Sequence, residues 1–294
     1  QKTTSNSSKA LQTGDNNCFP LSNAQKRIWL SCQNAQDESM YNMFGCWRLQ
    51  GSLNINFLKK SCQQLVKEHS ILRTKYMFHS DQIQQSIVPY ADVAEYVFNE
   101  IEVNCYSDSQ ISDWKLNIAQ KQLDLLSGKI FQCHLLILKD GSYILALLVH
   151  HIVCDGLSLQ YMCQLISSMY SSLVGGETLN HHSKLSYFDY IQWESDFCHS
   201  ERYQKSEKYW LHQLEHLSEF QLPMTEDIVE NNFSGEKLEF SIDDHCFKFI
   251  SEIAKQYGVS VFAVFSTVFD ILLYRYSQQE NIVTGTLGNG RIAP

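Results

Sequence analysis

His150-His151-Ile152-Val153-Cys154-Asp155-Gly156 is the stretch that decides how this chain is read. Two adjacent histidines are followed by an Asp-Gly pair. The residues before them, Tyr143 to Val149, form an apolar run of strand length. The residues after Gly156 carry helical spacing to about Val174 and stop at Gly175-Gly176. A strand that feeds a short loop holds its side chains rigidly, and function concentrates at such junctions. Histidine takes up a proton near neutral pH and returns it. The Asp155 carboxylate can orient the loop by pairing with a cation. Gly156 permits a tight turn or a close approach of substrate.

Other readings of the same residues compete. In an arbitrary chain, a His-His pair is most simply two core-edge histidines bonded to backbone. Neighbouring residues on a strand point to opposite faces, so both rings rarely reach one metal ion. No third and fourth ligands follow at metal spacing, and no metal site is expected. Cys154 lies within the loop, but a covalent thiol mechanism needs an aligned base. The residues alone support a proton-handling site and leave its reaction open.

Outward from the loop, Lys139-Asp140-Gly141-Ser142 predicts a hairpin between strands Ile130 to Leu138 and Tyr143 to Val149. Upstream, Ser22 and Gln25 form a capping-box pattern that opens a helix through Arg27, Trp29 and Leu30. A strand is expected at Phe44 to Leu49, a helix at Phe57 to His69 and a strand at Leu72 to Phe78. A strand near Tyr96 to Val103 precedes a helix from about Asp113 to Leu126, capped by Gly128. Downstream, a His/Ser-rich bend at Asn180 to Lys184 reads as the boundary between two lobes. Helices near Tyr187 to Phe197 and Glu201 to Leu217 follow it. Then come a strand at Lys237 to Ile242, helices at Asp243 to Tyr257 and Ser260 to Tyr276, and a strand from Asn281 to Thr284. Hairpins mixed with helices imply α+β sandwiches rather than a regular βαβ series.

The 294 residues suffice for one large domain or two lobes. The net charge of −9 argues against a nucleic-acid footprint, and no apolar run is long enough to cross a bilayer. The ten cysteines include no C-x-x-C pair, so they read as buried thiols in a reducing cytoplasm rather than staples or a zinc cage. Residues 1–17 are too polar to order themselves and read as a linker. The chain opens on Gln1 and stops at Arg291-Ile292-Ala293-Pro294, so it reads as a piece of a longer polypeptide with an incomplete second lobe.

His150 to Gly156 resembles the HHxxxDG motif of the condensation domains of nonribosomal peptide synthetases. The flanking segments are similar to that family's other motifs, in the same order. Ser22 to Trp29 resembles SxAQxRxW. Lys67 to Thr74 resembles RHxxLRT, with Lys67 in place of Arg, and Tyr187 to Trp193 resembles YxDYxxW. Ile282 to Arg291 resembles the segment that ends in Gly-Arg. The resemblance implies a chloramphenicol-acetyltransferase-like α+β fold. Two lobes, 18–180 and an incomplete 181–294, would form a V with a tunnel at their junction.

The resemblance also implies a reaction. Upstream and downstream peptidyl carrier domains would present substrates on 4'-phosphopantetheine arms. The acceptor amine would attack the donor thioester to form an amide. No cofactor would be bound intrinsically. An adjacent adenylation domain is expected, and no nucleic acid or membrane. His151 is implied as the principal catalytic residue, acting either as a base or by holding the amine in line. His150 is implied to be structural. Asp155 is implied to maintain the loop through an ion pair, with Arg291 as its candidate partner, and the Gly156 amide to lie near the reacting centre. Arg27, Arg73 and Trp193 are supporting candidates with equally good structural readings. Among rivals, an epimerization domain typically continues Val-Ser-Trp after the glycine, whereas this chain has Leu157-Ser158-Leu159. A cyclization domain would carry aspartates in place of the histidines. A coenzyme A-dependent acyltransferase of the HHxxxDG class would lack the flanking motifs, and a non-catalytic scaffold would keep the fold without turnover.

Overall fold

The strand that delivers the histidines is buried on both faces, and the rest of the first unit follows from that. The structure is a computed structural model that describes residues 18–33, 37–79, 82–102, 107–179, 185–216, 220 and 238–288. The expected linker at 1–17 and the bend at 180–184 lie outside the described residues. In chain order the elements are β1 (Cys18–Pro20), α1 (Asn23–Gln33), β2 (Asn42–Leu49), α2 (Ile55–Glu68), β3 (Thr74–His79) and β4 (Gln82–Ile87). They continue with α3 (Tyr90–Val93), β5 (Phe98–Glu102), α4 (Asp108–Ala119), β6 (Phe131–Ile137) and β7 (Tyr143–His150). The remaining helices are α5 (Gly156–Val174), α6 (Tyr187–Cys198), α7 (Glu201–Gln213), α8 (Asp244–Tyr257) and α9 (Val261–Ser277).

The main sheet has the strand order β2-β7-β6-β5. β7 runs antiparallel to β2 and to β6, and β5 runs parallel to β6. Leu145, Leu147 and Val149 of β7 join Cys133 and Leu135 of β6 in a core that contains α2 and α5. Their alternates, Ile144, Ala146 and Leu148, pack with Leu136, Trp114 and Ile118 on the α4 side. Two covered faces explain why Tyr143 to Val149 reads as continuous apolar sequence instead of alternation. Each fully buried leucine there contributes roughly 2 kcal/mol to burial. α2 supplies Leu58, Cys62, Leu65 and Val66, one stripe at helical spacing. Cys62 and Cys133 are buried, unbridged thiols in this core.

A smaller sheet of order β1-β4-β3 is antiparallel throughout. Ser22 and Gln25 form the expected reciprocal cap at the start of α1. The β6–β7 hairpin turns at Gly141, whose φ is 76°, and Asp140 accepts from the Ser142 amide at 2.9 Å.

Several expectations need correction. α4 spans Asp108–Ala119, not Asp113 to Leu126. Ser107 and Gln110 form a capping box that starts the helix earlier. At its other end, Asp124 Oδ1 accepts from the Leu126 and Ser127 amides and makes a turn. Gly128, at φ 78°, belongs to that turn and not to a helix cap; a Cβ there would meet Val88 Cγ2 at 2.6 Å. The expected strands at 237–242 and 281–284 are not formed within the described residues 238–242 and 281–284. Leu238 and Phe240 do alternate with polar neighbours, but no described strand pairs with them, and Phe240 is 80% exposed. Alternation marks a strand only where a partner takes up its hydrogen bonds.

The chain forms two compact units, with the change at Ser200/Glu201. α6, expected in the second lobe, packs on the first unit. The Glu194 carboxylate accepts from the Asn23 amide at 2.8 Å, and Phe188 lies against Phe19 with ring centroids 4.2 Å apart. The second unit contains α7, α8 and α9. Gly258, at φ 64°, closes α8, and Ser260 caps α9. Among the described residues, no single helix is long and apolar enough to cross a membrane.

Candidate active site

The two histidines of the loop have different surroundings. His150 ends β7 and is 3% exposed. Its Nδ1 accepts the Ile152 amide at 3.1 Å, so the ring caps the short 3-10 turn His151–Val153. With Nδ1 accepting, the ring proton of neutral His150 sits on Nε2. That nitrogen lies 3.9 Å from Cys32 Sγ on α1, so the contact does not provide a base for the thiol. Burial, assisted by the neighbouring His151, pushes the His150 pKa down to about 4. A neutral ring that accepts from the Ile152 amide is the form that this burial favours at neutral pH.

His151 is half-buried. Its backbone carbonyl accepts from the Cys154 amide at 3.3 Å, closing the turn. Its Nδ1 is buried and has no hydrogen-bond partner among the described residues. An unpaired buried nitrogen costs about 1–3 kcal/mol, so the fold holds this ring in place at some expense. Cys154 is buried, and its thiol donates to the Asp155 carbonyl at 3.2 Å.

Asp155 is the N-cap of α5. Its Oδ1 accepts from the Ser158 amide at 2.7 Å and from the Ser158 hydroxyl at 2.6 Å. This capping role accounts for an aspartate directly before a helix, where it also faces the positive end of the helix dipole. Arg291, its expected partner, lies outside the described residues. Gly156 opens α5, and a Cβ built on it would meet nothing within 4 Å. The space there belongs to a groove of about 690 Å³ that runs from Gly156 along α5 to Ser168, with Trp47 on the opposite wall.

Trp47 was not singled out by the sequence, and Gly45 is what lets it lie there. A Cβ on Gly45 would sit 2.5 Å from Trp47 Cη2 and 3.0 Å from Leu159 Cδ2. Gly45→Ala is expected to press the indole into the groove and lower stability by about 1 kcal/mol. Urea denaturation checks this; an unchanged midpoint would mean that the indole has room to yield.

The supporting candidates fall in different places. Arg73 donates from Nε to the Val66 carbonyl at 3.3 Å and from Nη1 to the Val88 carbonyl, tying the end of α2 to the end of β4. Arg27 is exposed on α1 and donates to the Asn23 carbonyl at 3.3 Å. Trp193 lies on α6, stacked on Phe197 at 5.2 Å and near Tyr190 at 5.6 Å. Sequence reasoning also missed the contact between the two ends of this unit, where Ser22 Oγ and Tyr187 Oη lie 2.8 Å apart. Both residues stand in recognised motifs, but 165 positions of separation carry no local signal.

Comparison with known proteins identifies the family and the fold. The family profile described as Condensation domain matches residues 15–294. A plipastatin synthase of Bacillus subtilis (strain 168) is 31% identical over 277 residues, covering 93% of this chain and 10% of that protein. Surfactin synthase subunit 2 of the same organism is 29% identical over 277 residues, covering 93% and 7%. The chain thus spans a tenth or less of these relatives' length. Among solved structures, the first condensation domain of the calcium-dependent antibiotic synthetase superposes with a TM-score of 0.73 at 17% identity, covering 90% of this chain and 62% of that one. The condensation domain from the Monacolin K polyketide synthase MokA gives 0.70 at 17% identity, covering 89% and 60%. A profile match across nearly the whole chain and a shared fold lead to one conclusion: this chain belongs to the condensation-domain family of nonribosomal peptide synthetases.

Proposed function

We propose that this domain forms an amide bond between two carrier-bound substrates, with His151 as the residue that handles the reacting amine. The observation that carries the reading is the division of labour in the pair. His150 is committed to the Ile152 amide, while the half-buried His151 ring makes no such cap; its Nδ1 is buried, so contact with the amine falls to its other ring nitrogen, Nε2. The acceptor's amine nitrogen bonds to the donor's thioester carbon, and the carbon–sulfur bond breaks. The proton lost from nitrogen ends on the departing sulfur. His151 either carries that proton or holds the amine in line for attack. Gly156 leaves room beside the loop for the thioester. Both substrates arrive on 4'-phosphopantetheine arms of upstream and downstream carrier domains, and an adenylation domain charges the acceptor.

The test uses the full-length domain in its parent protein. Donor and acceptor carriers are loaded, and the dipeptidyl thioester is sought by mass spectrometry. Product on the acceptor carrier is the expected result. Intact loaded carriers with no product, across cognate pairs, would instead make the domain a scaffold.

Asp155 is proposed to combine its cap with an ion pair to Arg291. Replacement separates the two. Asp155→Asn keeps a good N-cap and removes the charge, whereas Asp155→Ala removes both. The cap alone is worth about 1 kcal/mol. Unfolding midpoints for Asp155→Asn close to wild type would confine Asp155 to capping. A loss as large as that of Asp155→Ala would show that the charge matters.

A further inference from the structure

A closed hydrogen-bond network lies beneath the histidine loop. Gln25 and Gln85 exchange a pair of amide hydrogen bonds at 2.8 and 3.0 Å. Gln25 also donates to Tyr76 Oη at 3.2 Å, and Thr74 Oγ1 lies 3.2 Å from that same oxygen. Gln85 donates to the Pro20 carbonyl at 2.9 Å. Ser22 is tied to Gln25 in both directions, through its own amide at 3.0 Å and its hydroxyl at 3.1 Å. Ser22, Gln25, Thr74, Tyr76 and Gln85 are each no more than 1% exposed. A polar cluster buried this deeply is stabilising only when fully satisfied, and then it fixes a single arrangement.

Tyr187 is the member from α6, joined to Ser22 Oγ at 2.8 Å. The other side of the network meets the loop. Tyr76 packs in one cluster with Leu21, Trp29, Ile130 and Ile152, and Ile152 directly follows His151. The Ile152 amide is also the group that His150 caps. Burial is the main cause that raises the Tyr187 phenol to about 12, and nearby Tyr190, Glu194 and, least of them, Asp155 push it the same way.

We infer that Tyr187 is a positioning residue for His151, acting through Ser22, Gln25 and Tyr76 on the backbone at Ile152. The inference rests on the proposed role of His151 in the reaction. Tyr187 touches no reacting atom in this scheme. Its hydroxyl fixes the network, and the network supports the turn from which the His151 ring projects.

Tyr187→Phe in the full-length domain, assayed with loaded carriers, tests this. The expected result is a kcat lower by about tenfold, the scale of one lost aligned hydrogen bond, with an unchanged KM for the acceptor carrier. Amide exchange at Ile152 to Ser158 should quicken, while exchange in β6 stays the same. Ser22→Ala, which also removes the acceptor of the Gln25 amide, should lose at least as much kcat, and the double variant should be no slower than Ser22→Ala alone. Should Tyr187→Phe fold poorly, the Ser22→Ala exchange pattern serves as the test. Wild-type kcat with unchanged loop exchange would overturn the inference, as would losses that multiply in the double variant. Active His151→Ala alongside faster loop exchange in Tyr187→Phe would remove the role of His151 while leaving the link from Tyr187 to the loop.

Discussion

His151→Ala is expected to lower the rate of amide formation by about a hundredfold to ten-thousandfold, the range for losing a positioned proton-transfer group. Its effect on stability should be small, for a reason specific to this ring. The His151 Nδ1 is buried without a partner among the described residues, so removing it relieves a desolvation cost that partly offsets the lost packing. His150→Ala should behave in the opposite way. It removes the acceptor of the buried Ile152 amide, and an orphaned buried donor costs about 1–3 kcal/mol. The two variants therefore separate chemistry from scaffolding: one loses turnover at near-native stability, the other loses stability first. Measuring the rate of dipeptidyl thioester formation beside a urea melt for each variant checks the pair. Wild-type turnover by His151→Ala would remove the ring from the reaction. Burial pushes the His150 pKa down to about 4, so an inflection in kcat near neutrality would point to another group.

Much of this site was readable from the sequence, because its elements are local. The run Tyr143 to Val149, the Asp-Gly hairpin, the Ser22/Gln25 cap and the helix ending at Gly175 are each specified by residues within a few positions of one another. The resemblance to HHxxxDG domains then marked His151 over His150. In the structure the two rings differ: His150 caps the turn, and His151 does not. What the sequence hid is non-local. Ser22 meeting Tyr187, Gly45 making space for Trp47, and Cys32 lying under His150 depend on folding distant segments together. The strands expected near 240 and 282 failed for a related reason. The first alternates and the second is a short β-branched run, but strand formation depends on a neighbour that a pattern in one segment does not specify. α4 was misplaced because its capping signals, Ser107 and Gln110, precede its apolar stripe.

Lowering the pH from 7 to 5 should destabilise the first unit markedly, and two buried histidines set the size of the effect. His134 on β6 is 1% exposed, with Nε2 2.8 Å from Gln132 Oε1 and Nδ1 unpartnered among the described residues. Burial, aided by the Lys121 charge, pushes its pKa down to about 4. His150 is pushed to about 4 by burial, and it cannot be protonated on Nδ1 without giving up the Ile152 amide. In the unfolded chain both rings titrate near 6.5. The folded values lie below the unfolded ones, so the unfolded state takes up protons first as pH falls. Stability is therefore full above about pH 6.5, declines between about 6.5 and 4, and levels off below that for these two groups. Each ring accounts for about 2 kcal/mol by pH 5 and about 3 kcal/mol by pH 4. His69, held down mainly by its own burial, adds in the same direction. Asp124 and Asp140 are held below the usual carboxylate range chiefly by their serine partners, Ser127 and Ser142. Their contribution is lost only as pH falls through and below about 4, so it does not enter this window. Two such histidines match a large part of the roughly 5–15 kcal/mol that holds a typical domain together. Urea unfolding at pH 7, 6 and 5 measures the decline. His134→Gln, which removes one titrating ring and keeps a polar group beside Gln132, should reduce the pH dependence by about half of the two-ring contribution. Equal stability at pH 7 and pH 5 would mean that the two rings are solvated enough to protonate in place, and the neutral, structural role assigned to His150 would then fail with them.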